Sequence, residues 1–150
     1  MHNLGGKNIM TMSIVNKDIL QVDMNKYVIA HCISGDFTLG AGLAKKINEK
    51  YDMCNKLKDR FQYENGKYGA YLIDGIFNLV TKDTYKDKAT YEGLKKALED
   101  MKVNLYYLNI KNIAIPKLGC GKDKLEWNVV DGIIHDVFDD MDVNIEVCVL

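Results

Sequence analysis

The sequence predicts a three-layer α/β domain with a mixed central sheet. Two observations lead there: short apolar, β-branched runs alternate with segments of helical spacing, and one adjacent pair of runs is joined by a two-residue turn that makes an antiparallel hairpin. A third supports it, since 150 residues match one ordinary domain and folding at that length buries about 70% of the unfolded chain's surface.

The elements follow in order. "MHNLGGKNIM" is unpatterned and reads as a flexible leader or cloning remnant over residues 1–10, with the domain proper over residues 11–150 and a first strand from Thr11 or Met12. "KYVIAHCI", residues 26–33, suits a strand buried on both faces. A helix is predicted from Gly42 past Ile47, and a shorter one through Lys56 to Arg60. Tyr68 to Ile73 and Ile76 to Thr81 form two strands around the Asp74-Gly75 turn. Tyr91, Leu94, Leu98, Met101 and Leu105 recur at helical steps behind Thr90, a suitable N-cap. "NIAIP" is a strand, Trp127, Val130, Ile134, Val137 and Met141 repeat the helical spacing, and "NIEVCVL" ends the chain as a last strand.

Composition narrows the function. With 47% hydrophobic and 27% charged residues the chain is globular, and a net charge of -1 argues against a strong polyanion partner. Four cysteines without C-x-x-C spacing and three scattered histidines argue against a metal site, and no 18-residue apolar stretch exists to span a bilayer. The expectation is a cytoplasmic, monomeric protein with reduced thiols, no metal and no cofactor.

Two loops carry the candidate chemistry. In open α/β sheets ligands collect outside the carboxyl ends of the strands. "SGDFTLGAGLAKKI" places Gly40 and Gly42 before a helix, where backbone N–H groups and the helix N-terminus suit phosphate oxygens. "GCGKD" places Gly119 and Gly121 after a strand ending at Pro116. Neither is a P-loop or a dinucleotide fingerprint, and either pair can serve turn geometry alone. Single residues leave similar alternatives open. Asp123 suits a helix N-cap, Lys82 a solvated strand end, Asp18 a turn, His31 a hydrogen-bonded core residue, and Cys120 an inert thiol.

The segments "KDIL", "AHCIS", "LGAGLAKKI", "LVTK", "TYEGLKKALEDM" and "PKLGCGKDKLEW" occur in an order that resembles the macrodomain family, in its ALC1-like branch, from about Ser13 to Leu150. The resemblance implies an ADP-ribose cleft above a mixed sheet and metal-free removal of ADP-ribose from acidic side chains or nucleobases. It implies Asp18 and Ile19 at the adenine, Ser34 in the distal-ribose pocket, and His31 among the ADP-ribose-binding residues. Two ligand-enclosing loops follow, with Leu39, Gly40, Ala41 and Gly42 in one and Pro116, Leu118, Gly119, Cys120, Gly121 and Lys122 in the other; Thr81 and Leu150 complete the set. Lys82 then falls on the catalytic lysine and Asp123 on the catalytic aspartate. One departure stands out: Lys17 occupies the position before the adenine-binding aspartate, where the family usually has glycine.

The implied chemistry starts from an ADP-ribosyl ester. Its C1″ can open to an aldehyde after acyl migration, and a neutral amine is the natural nucleophile for such a carbon. Lys82 would form an imine-type intermediate while Asp123 transfers protons. Mono-ADP-ribosylated protein is the expected substrate. ADP-ribosylated single-stranded DNA, O-acetyl-ADP-ribose and a non-catalytic ADP-ribose reader are the alternatives.

Overall fold

The computed structural model describes residues 9–61 and 67–150. Six strands form one sheet: β1 (Thr11–Asn16), β2 (Val28–Ser34), β3 (Gly69–Ile73), β4 (Ile76–Lys82), β5 (Asn112–Ile115) and β6 (Asn144–Val149). Four helices pack on it: α1 (Gly42–Tyr51), α2 (Met53–Phe61), α3 (Tyr91–Tyr107) and α4 (Trp127–Phe138). The strand order is β1-β6-β5-β2-β4-β3. All neighbours are parallel except β3, which pairs antiparallel with β4. The sheet is therefore mixed and the layers are α/β/α, as the sequence predicts.

Central position explains the apolar runs. Every residue of β4 is buried, and β2 nearly so, because helices cover both faces. Phe77, Leu79, Leu98 and Phe138 lie in one core against α3 and α4. Ile29, Ile47, Leu57 and Val80 lie in the other, against α1 and α2. Asp74 and Gly75 both have positive φ, 53° and 78°, the geometry a two-residue hairpin turn needs. Thr90 caps α3 by accepting from the Gly93 N–H at 3.0 Å.

Several boundaries differ from expectation. The predicted leader lies outside the described residues except for Ile9 and Met10, and Met10 is buried in the core. Helix α2 starts at Met53, three residues before Lys56. Helix α4 stops at Phe138, so Met141 belongs to the following turn, where its N–H donates to Phe138 O at 2.9 Å. Its side chain still packs on the core, which is why its spacing matched the helix.

Candidate active site

Parallel strands β1, β6, β5, β2 and β4 all end on one edge of the sheet, and the cleft lies along that edge. Two connected hollows share Gly42 and Leu43. The larger, of about 330 Å³, is lined by His31, Ser34, Leu39, Gly40, Ala41, Gly42, Lys82, Pro116, Leu118, Gly119, Gly121, Lys122 and Asp123. The smaller is lined by Asp18, Ile19 and Leu150, among others. Sixteen of the implied residues are thus brought to one cleft by crossovers that no local pattern encodes.

Lys82 and Asp123 meet at its inner end. Lys82 ends β4 and Asp123 follows β5; β2 lies between those strands, so Asp123 reaches across its end to accept from Lys82 Nζ at 2.9 Å. Both side chains are nearly buried. The N-cap alternative for Asp123 fails. The intervening turn, with Leu125 N–H donating to Gly119 O and Lys124 at φ 59°, delays the helix until Trp127. Glu126 is its cap residue, and its side chain makes no cap bond.

The glycine pairs divide by purpose. Gly42 and Gly119 have positive φ, 57° and 71°, and a Cβ on Gly119 would stand 2.6 Å from Leu125 Cδ1. Gly121 has no positive φ and open space where a Cβ would stand, so nothing in the fold requires its lack of a side chain. Helix α1 opens at Gly42 with Ala41 as cap residue and no side-chain cap bond, which leaves its N-terminal partial charge directed at the cleft.

Around this end the chain is fastened by Asp36. Its carboxylate accepts from the Ser34 hydroxyl at 2.5 Å, Thr38 N–H at 3.2 Å and Tyr85 N–H at 3.0 Å. Burial alone would raise its pKa, but these hydrogen bonds outweigh it and hold the carboxyl below its ordinary value. His31 is both a core residue and a cavity wall. Asn78 donates its amide N–H to Tyr71 O at 3.0 Å, so its oxygen accepts from His31 Nε2 at 2.6 Å. Burial pushes His31 down to about 4, against a smaller opposing effect of that hydrogen bond. Its imidazole is therefore neutral at pH 7.

At the other end Asp18 accepts from Leu20 N–H at 3.0 Å with one oxygen, the turn-forming role, leaving the second oxygen for another donor. Lys17 does not disturb this turn. Its φ is not positive, its N–H donates to Val149 O at 2.9 Å, and its ammonium pairs with Glu146 at 3.1 Å.

Two implied ligand residues stand outside the cleft. Thr81 is buried in β4, where alternation turns it away from its neighbour Lys82. Cys120 packs against the core, its thiol donating to Leu118 O at 3.4 Å and its N–H to Lys117 O at 3.1 Å. Burial raises its pKa, which disfavours a nucleophilic thiolate. Cys32, Ile33, Leu43, Tyr85 and Lys117 line the cleft but are absent from the sequence-based set. Cys32 was legible as an inward position of a cleft-edge strand; burial first, then the Asp123 charge, pushes its thiol up to about 12. Tyr85 carried no local signal. Among the described residues no group of three His, Cys, Asp or Glu side chains is placed to hold a metal ion, and no helix is long and apolar enough to cross a membrane.

Comparison with known proteins bears on this geometry. No protein-family model matches the chain. The chain is 36% identical over 124 residues to the proteins named ADP-ribose glycohydrolase OARD1 of Bos taurus and Homo sapiens, covering 81% of this chain and 81% of each relative. In structure it resembles the macrodomain of Mycobacterium tuberculosis DarG, with a TM-score of 0.79 at 20% identity over 95% of this chain and 99% of that one. It also resembles Thermosipho africanus DarTG in complex with ADP-ribose, with a TM-score of 0.78 at 19% identity over 92% of this chain and 41% of that one. With that sequence identity spread across the fold and the cleft built by the same loops that carried the resemblance, the chain belongs to the macrodomain family.

Proposed function

We propose that this protein is an ADP-ribosylglycohydrolase that removes mono-ADP-ribose from ester-linked acidic side chains. The observation that carries the reading is the contact of Lys82 Nζ with Asp123 Oδ1 at 2.9 Å in a glycine-walled cavity, because simple binding of a nucleotide sugar needs no nearly buried amine-carboxylate pair there. The names of the OARD1 relatives support it.

Binding would run the length of the cleft. The free oxygen of Asp18 accepts from the adenine amino group, the α1 N-terminus and Gly121 loop take the diphosphate, and the distal ribose lies over Ser34 toward Lys82. Asp123 takes a proton from Lys82 Nζ, and the amine attacks C1″. The C1″–O bond breaks with its electron pair leaving on the acidic side chain's carboxylate, which takes the proton from Asp123 and returns Asp123 to the ionised form. The resulting N-glycosyl adduct opens to an imine. Water then adds to C1″, giving its proton to Asp123, and the C1″–N bond breaks as Nζ is reprotonated. The sum is ester plus water giving free carboxylic acid and ADP-ribose. Positioning by the loops and proton transfer by Asp123 supply the rate enhancement, so the reaction is metal-independent. A reducing, cytoplasmic setting fits the four free thiols among the described residues.

The test is ADP-ribose release from a glutamate-ADP-ribosylated protein by wild type, Lys82→Ala and Asp123→Ala, with calorimetric ADP-ribose binding for each. Loss of about 10²-fold or more in turnover with binding retained is expected for both variants. Reductive trapping should add the mass of ADP-ribose to wild type and not to Lys82→Ala. Binding without release from protein, ADP-ribosylated single-stranded DNA or O-acetyl-ADP-ribose would make the protein a reader instead.

A further inference from the structure

Tyr85 lines the Lys82–Asp123 cavity but has no part in the roles assigned above. It stands three residues beyond Lys82, in the turn between β4 and α3. That turn is closed from within: Asp87 N–H donates to Thr84 O at 3.1 Å, while Thr84 N–H and hydroxyl both donate to Asp87 Oδ2 at 3.0 Å. It is also tied across the cleft, through the Tyr85 N–H bond to Asp36. The main chain carrying the ring is therefore held in place before any ligand arrives.

The ring itself is left open. Tyr85 is 48% exposed whereas Lys82 is 8% exposed, so of these two cavity-lining residues the phenol stands on the solvent side and the amine on the inner side. An ADP-ribose seated in the cleft fills its interior, and the macromolecule attached at C1″ has to leave through the mouth. The Lys86 ammonium lies 5.8 Å from the Tyr85 ring centroid, which sets a positive charge on the same rim.

We propose that Tyr85, with Lys86 beside it, forms the acceptor subsite: a specificity-determining surface that holds the peptide bearing the modified acidic residue. This rests on the glycohydrolase reading. The ring gives a flat apolar face to the methylene stem and peptide plane, and the ammonium attracts the carboxylate as it leaves. A peptide is the occupant that the ester-linked substrate of the glycohydrolase reading brings to this rim, since the modified acidic residue carries its methylene stem and peptide plane out past the cavity.

Two affinities separate this role from a structural one: calorimetric Kd for free ADP-ribose, and for a peptide carrying ADP-ribose through a non-cleavable linkage on its acidic residue. Both are measured for wild type, Tyr85→Ala and Tyr85→Phe. Tyr85→Ala should weaken the peptide conjugate about tenfold while leaving free ADP-ribose within about twofold, and Tyr85→Phe should keep most of the conjugate affinity. With a cleavable glutamate ester, KM should rise by the same factor while kcat holds. Equal weakening of both ligands would overturn the proposal by placing the ring on ADP-ribose itself, and unchanged affinities would overturn it outright. A loss confined to an ADP-ribosylated oligonucleotide would overturn it by assigning the ring to a nucleobase instead. Because the conjugate is not cleaved, these results stand even if wild type proves inactive, an outcome that would sink only the glycohydrolase reading.

Discussion

Removing either member of the Lys82–Asp123 pair should destabilise the protein more than removing both. At 2.9 Å the two charges attract by about 6 kcal/mol for an effective dielectric near 20. Desolvation offsets most of that, since the side chains are only 10% and 12% exposed, so the intact pair contributes little net stability. A single alanine, however, strands the other charge in a site built for its partner. Lys82→Ala and Asp123→Ala should each cost about 3 kcal/mol and the double variant only about 2 kcal/mol, which corresponds to a coupling of about 4 kcal/mol. Urea unfolding of the four proteins at pH 7 measures this cycle. Moderate salt should change the coupling little, because a nearly buried pair is poorly screened. Additive losses below about 0.5 kcal/mol per variant would refute the reasoning: the pair would then be solvent-relaxed, and its catalytic geometry would not be held in the free protein.

Other outcomes follow from neighbouring residues. Gly119→Ala should lower stability by about 1–2 kcal/mol or more, from its positive φ and the clash with Leu125, as read by thermal unfolding. Gly121→Ala should unfold like wild type yet bind ADP-ribose at least about tenfold more weakly; unchanged affinity would mean that the ligand does not approach that backbone. His31 predicts an acid dependence. Its folded-state pKa is lowered to about 4 from 6.5, so the unfolded chain takes up the proton first, and stability falls as pH drops through that window by up to about 3 kcal/mol. Above pH 6.5 the contribution is flat. Comparing urea unfolding of wild type and His31→Gln at pH 7 and 4.5 isolates it from the carboxylates, and parallel losses would refute it.

The sequence by itself determined the local elements, because their causes are local. Continuous apolar runs and helical spacing reflect how an element is buried, so β4 and α3 were legible within a residue or so, as were the Asp74-Gly75 turn and the Thr90 cap. Motif order identified Lys82 and Asp123, but as separate residues with ordinary alternatives. Only the tertiary structure decided that they touch: they lie 41 positions apart, and the sheet order that sets β2 between β4 and β5 brings their loops to one edge. The same holds for Asp36 and Tyr85, 49 positions apart, whose bond joins two loops without any sequence pattern. Thr81 and Cys120 show the converse, since adjacency to a site residue in sequence does not fix which way a side chain faces. A hydrophobic period reports burial along one element; a site is made where several elements end together, and that meeting is a property of strand order and crossover, which no single segment encodes.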